Sequence, residues 1–410
     1  MTIIVIGAGA AGLLAAGAAA KKVDKVILIE RNDIIGKKLL ITGKGRCNIT
    51  NIAETQDMIG MYPTNAKFLY SALYTFTNTD IIYLIERMGT KTKVERGGRV
   101  FPVSDRSKDV VDALKKYAIQ PNVELVHSRV KELIIKDNKI CGVRTSDKAL
   151  YGDKVIVCTG GKSYPKTGST GDGYRFAEQA GHTVTEITPS LVPLETEEQF
   201  VKELMGLSLR NVNITAYDEK HKKVYEDFGE MLFTHFGISG PIVLSMSAHL
   251  KRGKNYTAEI DLKPALSEDK LKHRIIRDFE KAGKKHICNS LDELMPKALI
   301  PIVLKISGID PHKPVCDITR EERASLIYTL KHIKLTIKGF RPIEEAIITS
   351  GGVKVSEIDP STMESKKVKG LYFAGEVIDI DGYTGGFNLQ AAFSTGYLAG
   401  ISAAEEDANE

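Results

Sequence analysis

The first thirty residues constrain the fold more than any other stretch. Thr2-Ile3-Ile4-Val5-Ile6 is a short apolar run of the kind that forms a buried strand. Gly7-Ala8-Gly9-Ala10-Ala11-Gly12 follows at once, and the alanine-rich stretch from Leu13 to Ala20 reads as a helix. A second apolar run, Val26-Ile27-Leu28-Ile29, ends in Glu30, 18 residues after Gly12. Strand, glycine turn, helix, strand and acidic residue stand in the order that a dinucleotide-binding βαβ unit needs. Sterics assign the roles. Gly7 permits the tight turn, Gly9 lets the backbone approach a pyrophosphate, and Gly12 lets helix and strand pack closely. The helix N-terminus offers free N–H groups and partial positive charge to phosphates. Glu30 suits the hydroxyls of an adenosine ribose and disfavours a 2′-phosphate, an argument that Arg31 weakens slightly.

The bulk properties exclude several classes. The chain has 410 residues, room for two or three domains, and its 42% hydrophobic and 27% charged residues are those of a globular protein. A net charge of +5 is small for this length, so no nucleic-acid partner is expected. Cys47, Cys141, Cys158, Cys288 and Cys316 form no CxxC pair and no zinc spacing, so no metal is expected and a reducing, cytoplasmic setting is. The sequence enters its first strand directly, leaving no room for a signal peptide, and no apolar run approaches the ~20 residues of a membrane span.

After Glu30, the stretch from Gly36 to Asn51 is rich in glycine and cations. Lys37, Lys38, Lys44 and Arg46 can face a phosphate there or form a solvated basic loop. Cys47 beside Arg46 is either an activated thiol or a packing residue, and the lack of a neighbouring Cys or His favours packing. Helices are expected over residues 65–90 and from Asp105 to Tyr117, the latter capped by Ser104 or Asp105. Val123–Val126, Val130–Ile134 and Ile140–Val143 alternate like strands of a small antiparallel sheet. Lys154 to Gly161 reads as a return strand with a glycine turn, and Asp172 to Gly181 as a helix.

The character changes between 190 and 345, where alternating runs precede a helical stretch broken at Pro296, Pro301, Pro311 and Pro314. Within it, Leu232-Phe-Thr-His-Phe-Gly-Ile-Ser-Gly-Pro241 holds His235, which is either a general acid or substrate-orienting group, or a structural histidine beside a glycine turn. The basic runs Lys270 to Arg274 and Lys281 to His286 read as solvated helix faces. The nucleotide fold resumes with Thr349-Ser-Gly-Gly-Val353, the strand Gly370 to Glu376, and Gly385 to Ala392, which opens a last alanine-rich helix.

Taken in order, the Gly7–Gly12 turn, Thr42-Gly-Lys-Gly-Arg-Cys-Asn-Ile-Thr-Asn51, the Leu232–Pro241 motif, Thr349–Val353 and Ala374 through Ala392 resemble one bacterial flavoprotein family. It is the aminoacetone-oxidase-like or 3-dehydro-bile-acid-reductase-like (BaiN-type) family, and the resemblance covers nearly the whole chain. It implies an α/β fold, with a Rossmann-like, two-segment FAD-binding domain of the GR2 type carrying an inserted β-rich domain and a helical subdomain. The expected division is 1–190 for the first FAD-binding segment, 191–265 for the β-rich insert, 266–332 for the helical subdomain, 333–347 for a return strand and 348–410 for the second segment. It implies noncovalent FAD, with contacts at Gly7, Gly9, Ala10, Ala11 and Gly12; at Glu30, Arg31, Lys37 and Lys38; at Thr42, Gly43, Gly45, Arg46, Cys47 and Asn48; and at Val130. Further contacts are implied at Thr159, Gly160 and Gly161, at Gly375, Glu376 and Asp379, and at Gly386, Phe387, Asn388 and Leu389.

The expected activity is hydride transfer between flavin N5 and a small organic substrate. Three versions stand open. NAD(P)H, as a transient donor, reduces the flavin of a reductase; an amine reduces that of an oxidase, with oxygen as acceptor; or the flavin belongs to a tRNA-modification or interaction protein. No second GxGxxG supplies a dedicated nicotinamide domain.

Overall fold

The computed structural model describes residues 1–405. The chain forms two compact units, Met1–Ser190 with the chain from Pro342 onward, and Leu191–Arg341.

The first unit is built on a five-stranded parallel sheet. Its order is Leu371–Phe373, Lys154–Val157, β1 (Thr2–Ile6), β2 (Lys25–Glu30), Val123–His127. The central strands are buried on both faces, which is why they read as unbroken apolar runs. Between β1 and β2 lies α1 (Ala10–Ala19), in which every residue after the first is buried. The βαβ unit is therefore present as the sequence predicts. Val123–His127 corrects one expectation: it pairs parallel with β2, bringing His127 opposite Glu30, and not with the antiparallel strands that follow. An edge strand is only partly covered: Val123 is buried, Leu125 and Val126 are half-buried, and Glu124 and His127 are exposed, so its polar residues imitate those of an antiparallel strand. The antiparallel sheet itself is Val130–Lys136, Lys139–Thr145 and Ala149–Tyr151.

The helix at Ser107–Ala118 starts two residues later than expected, with Arg106 at the cap position and no side-chain cap. Asp105 is instead drawn into ion pairs with Arg46 at 2.6 Å and Lys93 at 2.7 Å.

The last helix, Phe387–Ala403, lies against α1 along a seam of small residues. A methyl on Gly396 would stand 2.2 Å from the Ala11 carbonyl oxygen, and one on Gly400 would stand 2.5 Å from that of Ala15. Such close backbone approach needs residues without side chains. Thr188–Ser190 and Ile348–Ser350 pair antiparallel, so the two chain segments of this unit are also stitched by backbone hydrogen bonds.

The second unit is a closed barrel of six strands, Leu194–Thr196, Gly237–Ser239, Lys223–Phe233, Ser208–Asp218, Tyr256–Asp261 and Ile333–Phe340. Strict alternation in Tyr256–Asp261 puts Tyr256, Ala258 and Ile260 inside. Helices Glu268–Ala282, Ile300–Ser307 and Arg320–Lys331 add to the same apolar core, through Leu271, Ile275, Phe279, Leu304, Leu326 and Leu330 among others. Thr319 and Glu322 form a capping box at the start of the last of these. Among the described residues no helix is long and apolar enough to cross a membrane.

Candidate cofactor site

The site in the first unit starts at the Gly7–Gly12 turn. The Gly7 N–H donates to the Ile29 carbonyl at 2.7 Å, which locks the turn onto β2. A methyl on Gly12 would stand 1.8 Å from the Gly7 carbonyl oxygen, so this position has no room for a side chain. Gly9 is the opposite case. Nothing of the protein lies within 4 Å of where its methyl would sit, leaving open space beside the backbone at the N-terminus of α1. That is the cradle a pyrophosphate requires.

Glu30 is buried, with its carboxylate aimed back at the turn. Its Oε2 accepts from the Ala8 N–H at 2.9 Å, and its Oε1 accepts from the Asn32 backbone N–H at 2.9 Å and side-chain amide at 2.7 Å. A carboxylate offers about four acceptor sites, so three bonds leave one for a ribose hydroxyl. Arg31 turns away toward Thr170 at 2.6 Å and Asp172 at 3.2 Å, and Asp172 is also held by Arg129 at 2.7 Å. Burial would raise the Asp172 carboxyl, but Arg129, helped by Arg31 and Arg175, outweighs it and lowers the pKa.

The basic loop contains structure that its composition concealed. Lys37–Ile41 is a short helix, and Thr42–Gly45 a tight turn within which Gly43 and Lys44 adopt positive φ. Lys38 reaches across to Glu376 at 2.5 Å and Ser163 at 2.8 Å. Arg46 pairs with Glu95 and Asp105 and lies 4.1 Å over the Phe101 ring. Lys37 is half-buried, and Gly43 packs against the Asn48 backbone. Gly45 faces open space, and the Thr42 hydroxyl donates to the Leu39 carbonyl. Cys47 is fully buried, and burial pushes its thiol up to about 11. It is a packing cysteine and not an activated thiol. Asn48 has a buried side-chain oxygen with no partner, and so does Thr159, whose hydroxyl sits where the return strand ends. Orphaned buried polar atoms are what a polar ligand would satisfy.

The second chain segment completes the cradle. Glu376 accepts from Lys38, from Ser163 at 3.0 Å and from the Thr349 N–H at 2.9 Å. The Thr349 hydroxyl in turn accepts from the N–H groups of Lys162 and Ser163 at 2.8 and 3.0 Å. Gly161 lies against that hydroxyl, and Gly160 against Ser169. Gly375 lies against Ala11 and donates to Thr395 at 3.0 Å. Burial raises the Asp379 carboxyl, and its backbone carbonyl accepts from Asn65. Val130 is buried at the start of its strand.

Gly386 caps the last helix at φ +103°, and a side chain there would strike the Thr50 backbone at 2.4 Å. Tyr62 donates to the Phe387 carbonyl at 2.7 Å, and the Asn388 amide holds the Gly382 backbone at both N–H and carbonyl. Leu389 is half-buried beside them. Sequence reasoning missed Gln390, which is fully buried and bonded to Thr50, Phe76 and Ser394. A glutamine inside a helix built mainly of alanine, glycine and apolar residues was the available signal.

The contacts Ala11–Gly396 and Ala15–Gly400 share one offset, so α1 and the last helix run parallel along their seam. Carried back along that register, Gly386 lies eight residues beyond the level of Gly9. At 1.5 Å per residue the two helix N-termini are about 12 Å apart along the axis. One suits a pyrophosphate, and the other a polar ring edge an extended ribityl chain away. The residues present therefore fit FAD.

His235 belongs to the second unit. It is exposed beside Phe236 and lines a cavity of about 460 Å³ with Thr196, Glu198, Lys202 and Lys338. Glu198 accepts from the Thr336 N–H at 2.8 Å through Oε1, while its Oε2 and the Thr196 hydroxyl are buried without partners. Among the described residues no group of three or more His, Cys, Asp or Glu is placed to hold a metal ion.

Comparison with known proteins supplies the family. Over 407 residues the chain is 32% identical to the 3-dehydro-bile acid delta(4,6)-reductase of Clostridium scindens, covering 98% of each protein. Over 405 residues it is 34% identical to the ribosomal RNA dihydrouridine synthase of Haemophilus influenzae, covering 97% of each. The second relative withdraws the ground for excluding nucleic acid as a partner. A 3-ketosteroid delta1-dehydrogenase structure from Sterolibacterium denitrificans shares the fold, with a TM-score of 0.53 at 14% identity over 98% of this chain and 99% of that one. Residues 1–402 match the HI0933-like protein Rossmann domain, and the chain belongs to that family as an FAD-dependent oxidoreductase.

Proposed function

We propose that the chain reduces a carbon–carbon double bond conjugated to a carbonyl, with electrons from NAD(P)H. One observation carries this reading: the chain aligns end to end with relatives of two names, and both names describe the same bond change. A delta(4,6)-reductase acting on a 3-dehydro bile acid saturates double bonds in line with a ketone. A dihydrouridine synthase saturates the uracil double bond beside its ring carbonyl. In each case a hydride adds to the carbon remote from the carbonyl and a proton to the adjacent carbon. One NAD(P)H and one proton are consumed for each bond reduced.

FAD, when bound, supplies the relay of the hydride. The chain's own residues do the rest. Glu30 and the Gly9 turn would hold the adenosine and pyrophosphate end. The amides at the start of helix Phe387–Ala403 favour negative charge at the ring edge, and cost nothing to reorganise because the helix already holds them in place. The Lys38–Glu376–Ser163–Thr349 network fixes the two chain segments against each other, which keeps those two anchors in register. His235 is assigned the handling of the proton in the barrel unit, where the cavity it lines holds two buried polar atoms without partners.

The test is an anaerobic titration of the flavin-loaded protein with NADPH and then NADH, read at the flavin band near ~450 nm. Bleaching by a nicotinamide, followed by recovery of the band on adding a conjugated enone or a uridine-containing RNA, is expected. Bleaching by an amine but by neither nicotinamide would overturn the reading in favour of an oxidase. His235→Ala is expected to slow recovery by acceptor at least about tenfold, within the usual range for a lost proton-transfer group, and to leave bleaching by NADPH unchanged. Unchanged recovery would make His235 structural.

A further inference from the structure

We propose that the basic ridge of helix Glu268–Ala282, continued through His286, is a docking surface for the phosphate backbone of RNA. This rests on the conjugated-bond reading, because it selects RNA uridine as the substrate class. From Glu268 to His286 the chain carries seven Lys and Arg against four Asp and Glu, a net +3. The whole chain carries +5. One segment of 19 residues therefore holds more than half of the net charge.

The helix also sorts its charges by face. Leu271, Ile275 and Phe279 are buried, so the opposite side carries Lys270, His273, Arg277 and Lys281, all exposed. Lys284 and Lys285 extend the row past the helix end and are exposed as well. Residues 270 to 281 span about 16 Å at helical rise, long enough to follow more than one phosphate. Asp278 is occupied by Arg274 at 3.4 Å and touches Arg277 only at 3.9 Å. Asp269 and Glu280 flank the ridge without interrupting it. Helix-dipole compensation explains cations near the C-terminal turn, but not Lys270 and His273 near the start, where negative charge is the favoured sign.

The experiment uses the full-length, flavin-loaded protein and a fluorescein-labelled single-stranded RNA containing uridines. Binding is followed by anisotropy between about 50 and 200 mM KCl, the range over which phosphate contacts declare themselves. Arg277→Gln/Lys281→Gln/Lys284→Gln removes three cations. At about 0.7 per phosphate contact on a single strand, the slope of log K against log salt is expected to flatten by about 2, with binding at ~100 mM salt weakened about 10–100-fold. Lys131→Gln/Lys136→Gln/Lys139→Gln removes the same charge from the exposed antiparallel sheet of the first unit and is expected to keep the wild-type slope. Lys270→Gln/Lys285→Gln is a second variant, should the first fold poorly, and is expected to flatten the slope by about 1.4. NADPH bleaching stays at the wild-type rate in all variants. Absence of salt-dependent RNA binding by the wild type, or equal losses in the ridge and control triples, would overturn the docking surface. RNA binding that tracks the ridge without any reduction of uridine would keep the surface and refute the uridine reading. Uridine reduction that ignores the ridge would do the reverse.

Discussion

Gly9→Ala separates ligand binding from folding at a single methyl. Gly9 has φ −88° and ψ −162°, a conformation that alanine adopts without strain, and no protein atom lies within 4 Å of the new carbon. The apoprotein is therefore expected to be as stable as wild type, or more so by about 0.4–1 kcal/mol through the smaller entropy of its unfolded chain. The methyl projects into the open space proposed for the pyrophosphate and is expected to push the phosphate outward. Losing one hydrogen bond to a charged group costs about 1.5–3 kcal/mol, or roughly 10–150-fold in affinity. The assay pairs thermal unfolding of the stripped protein with FAD titration by fluorescence quenching. Gly12→Ala is the contrast: its methyl lands 1.8 Å from the Gly7 carbonyl oxygen, so it is expected to lose stability before any ligand is added. FAD affinity within about twofold of wild type in a normally folded Gly9→Ala protein would refute the placement of the phosphate there. A melting temperature that falls as far for Gly9→Ala as for Gly12→Ala would refute the packing argument.

Two further outcomes test the frame around the site. Gly396→Ala puts a methyl 2.2 Å from the Ala11 carbonyl oxygen, where an ordinary carbon–oxygen contact is about 3.3 Å or more, so the helices must part by about 1 Å. A loss of about 1–3 kcal/mol in urea unfolding is expected, together with weaker FAD retention. Glu357 tests the pH dependence. Burial alone would raise its carboxyl, but the Thr183 N–H at 2.8 Å, Lys367 at 3.0 Å and the Thr183 hydroxyl at 2.9 Å hold it down at about 2. Its folded pKa lies below the unfolded one, so its stabilisation is present above the ordinary carboxylate range and is lost as pH falls toward 2. With Lys367 partly exposed, solvent screening reduces the contribution to about 1–2 kcal/mol. Glu357→Gln is expected to cost that amount at neutral pH, and the gap to wild type to close in melts near pH 2.

Local signals were the readable ones. The βαβ unit lies within thirty consecutive residues, and its turn, helix and acidic terminus each leave a mark on the sequence. The C-terminal helix announces itself by glycines and alanines that turn out to line a seam. Long-range pairings leave no such mark. Thr349 binds the backbone at Lys162 and Ser163, 187 and 186 positions away, and nothing in the composition of either stretch points to the other. Asp105 looks like a cap and is an ion-pair partner, because Arg46 and Lys93 approach it from elsewhere in the chain. Barrel closure was equally hidden, since Leu194–Thr196 and Gly237–Ser239 have three residues each, too few to show a period of two.

Charge is the instructive case, because the total concealed the pattern. A net +5 spread over 410 residues argues against a polyanion partner, and each basic run taken alone passes for a solvated helix face. The placement of the charge matters more than its total. If +5 were distributed evenly, no phosphate would find more than one uncompensated cation within a Debye length of about 8–10 Å. Concentrated on one exposed ridge, cations give neighbouring phosphates several partners at once, and the release of their counterions makes such binding steep in salt. A protein built only for a small neutral enone gains nothing from that arrangement. A protein whose substrate ring is part of a polyanion does, because the backbone contacts hold the strand while the ring is presented for reduction.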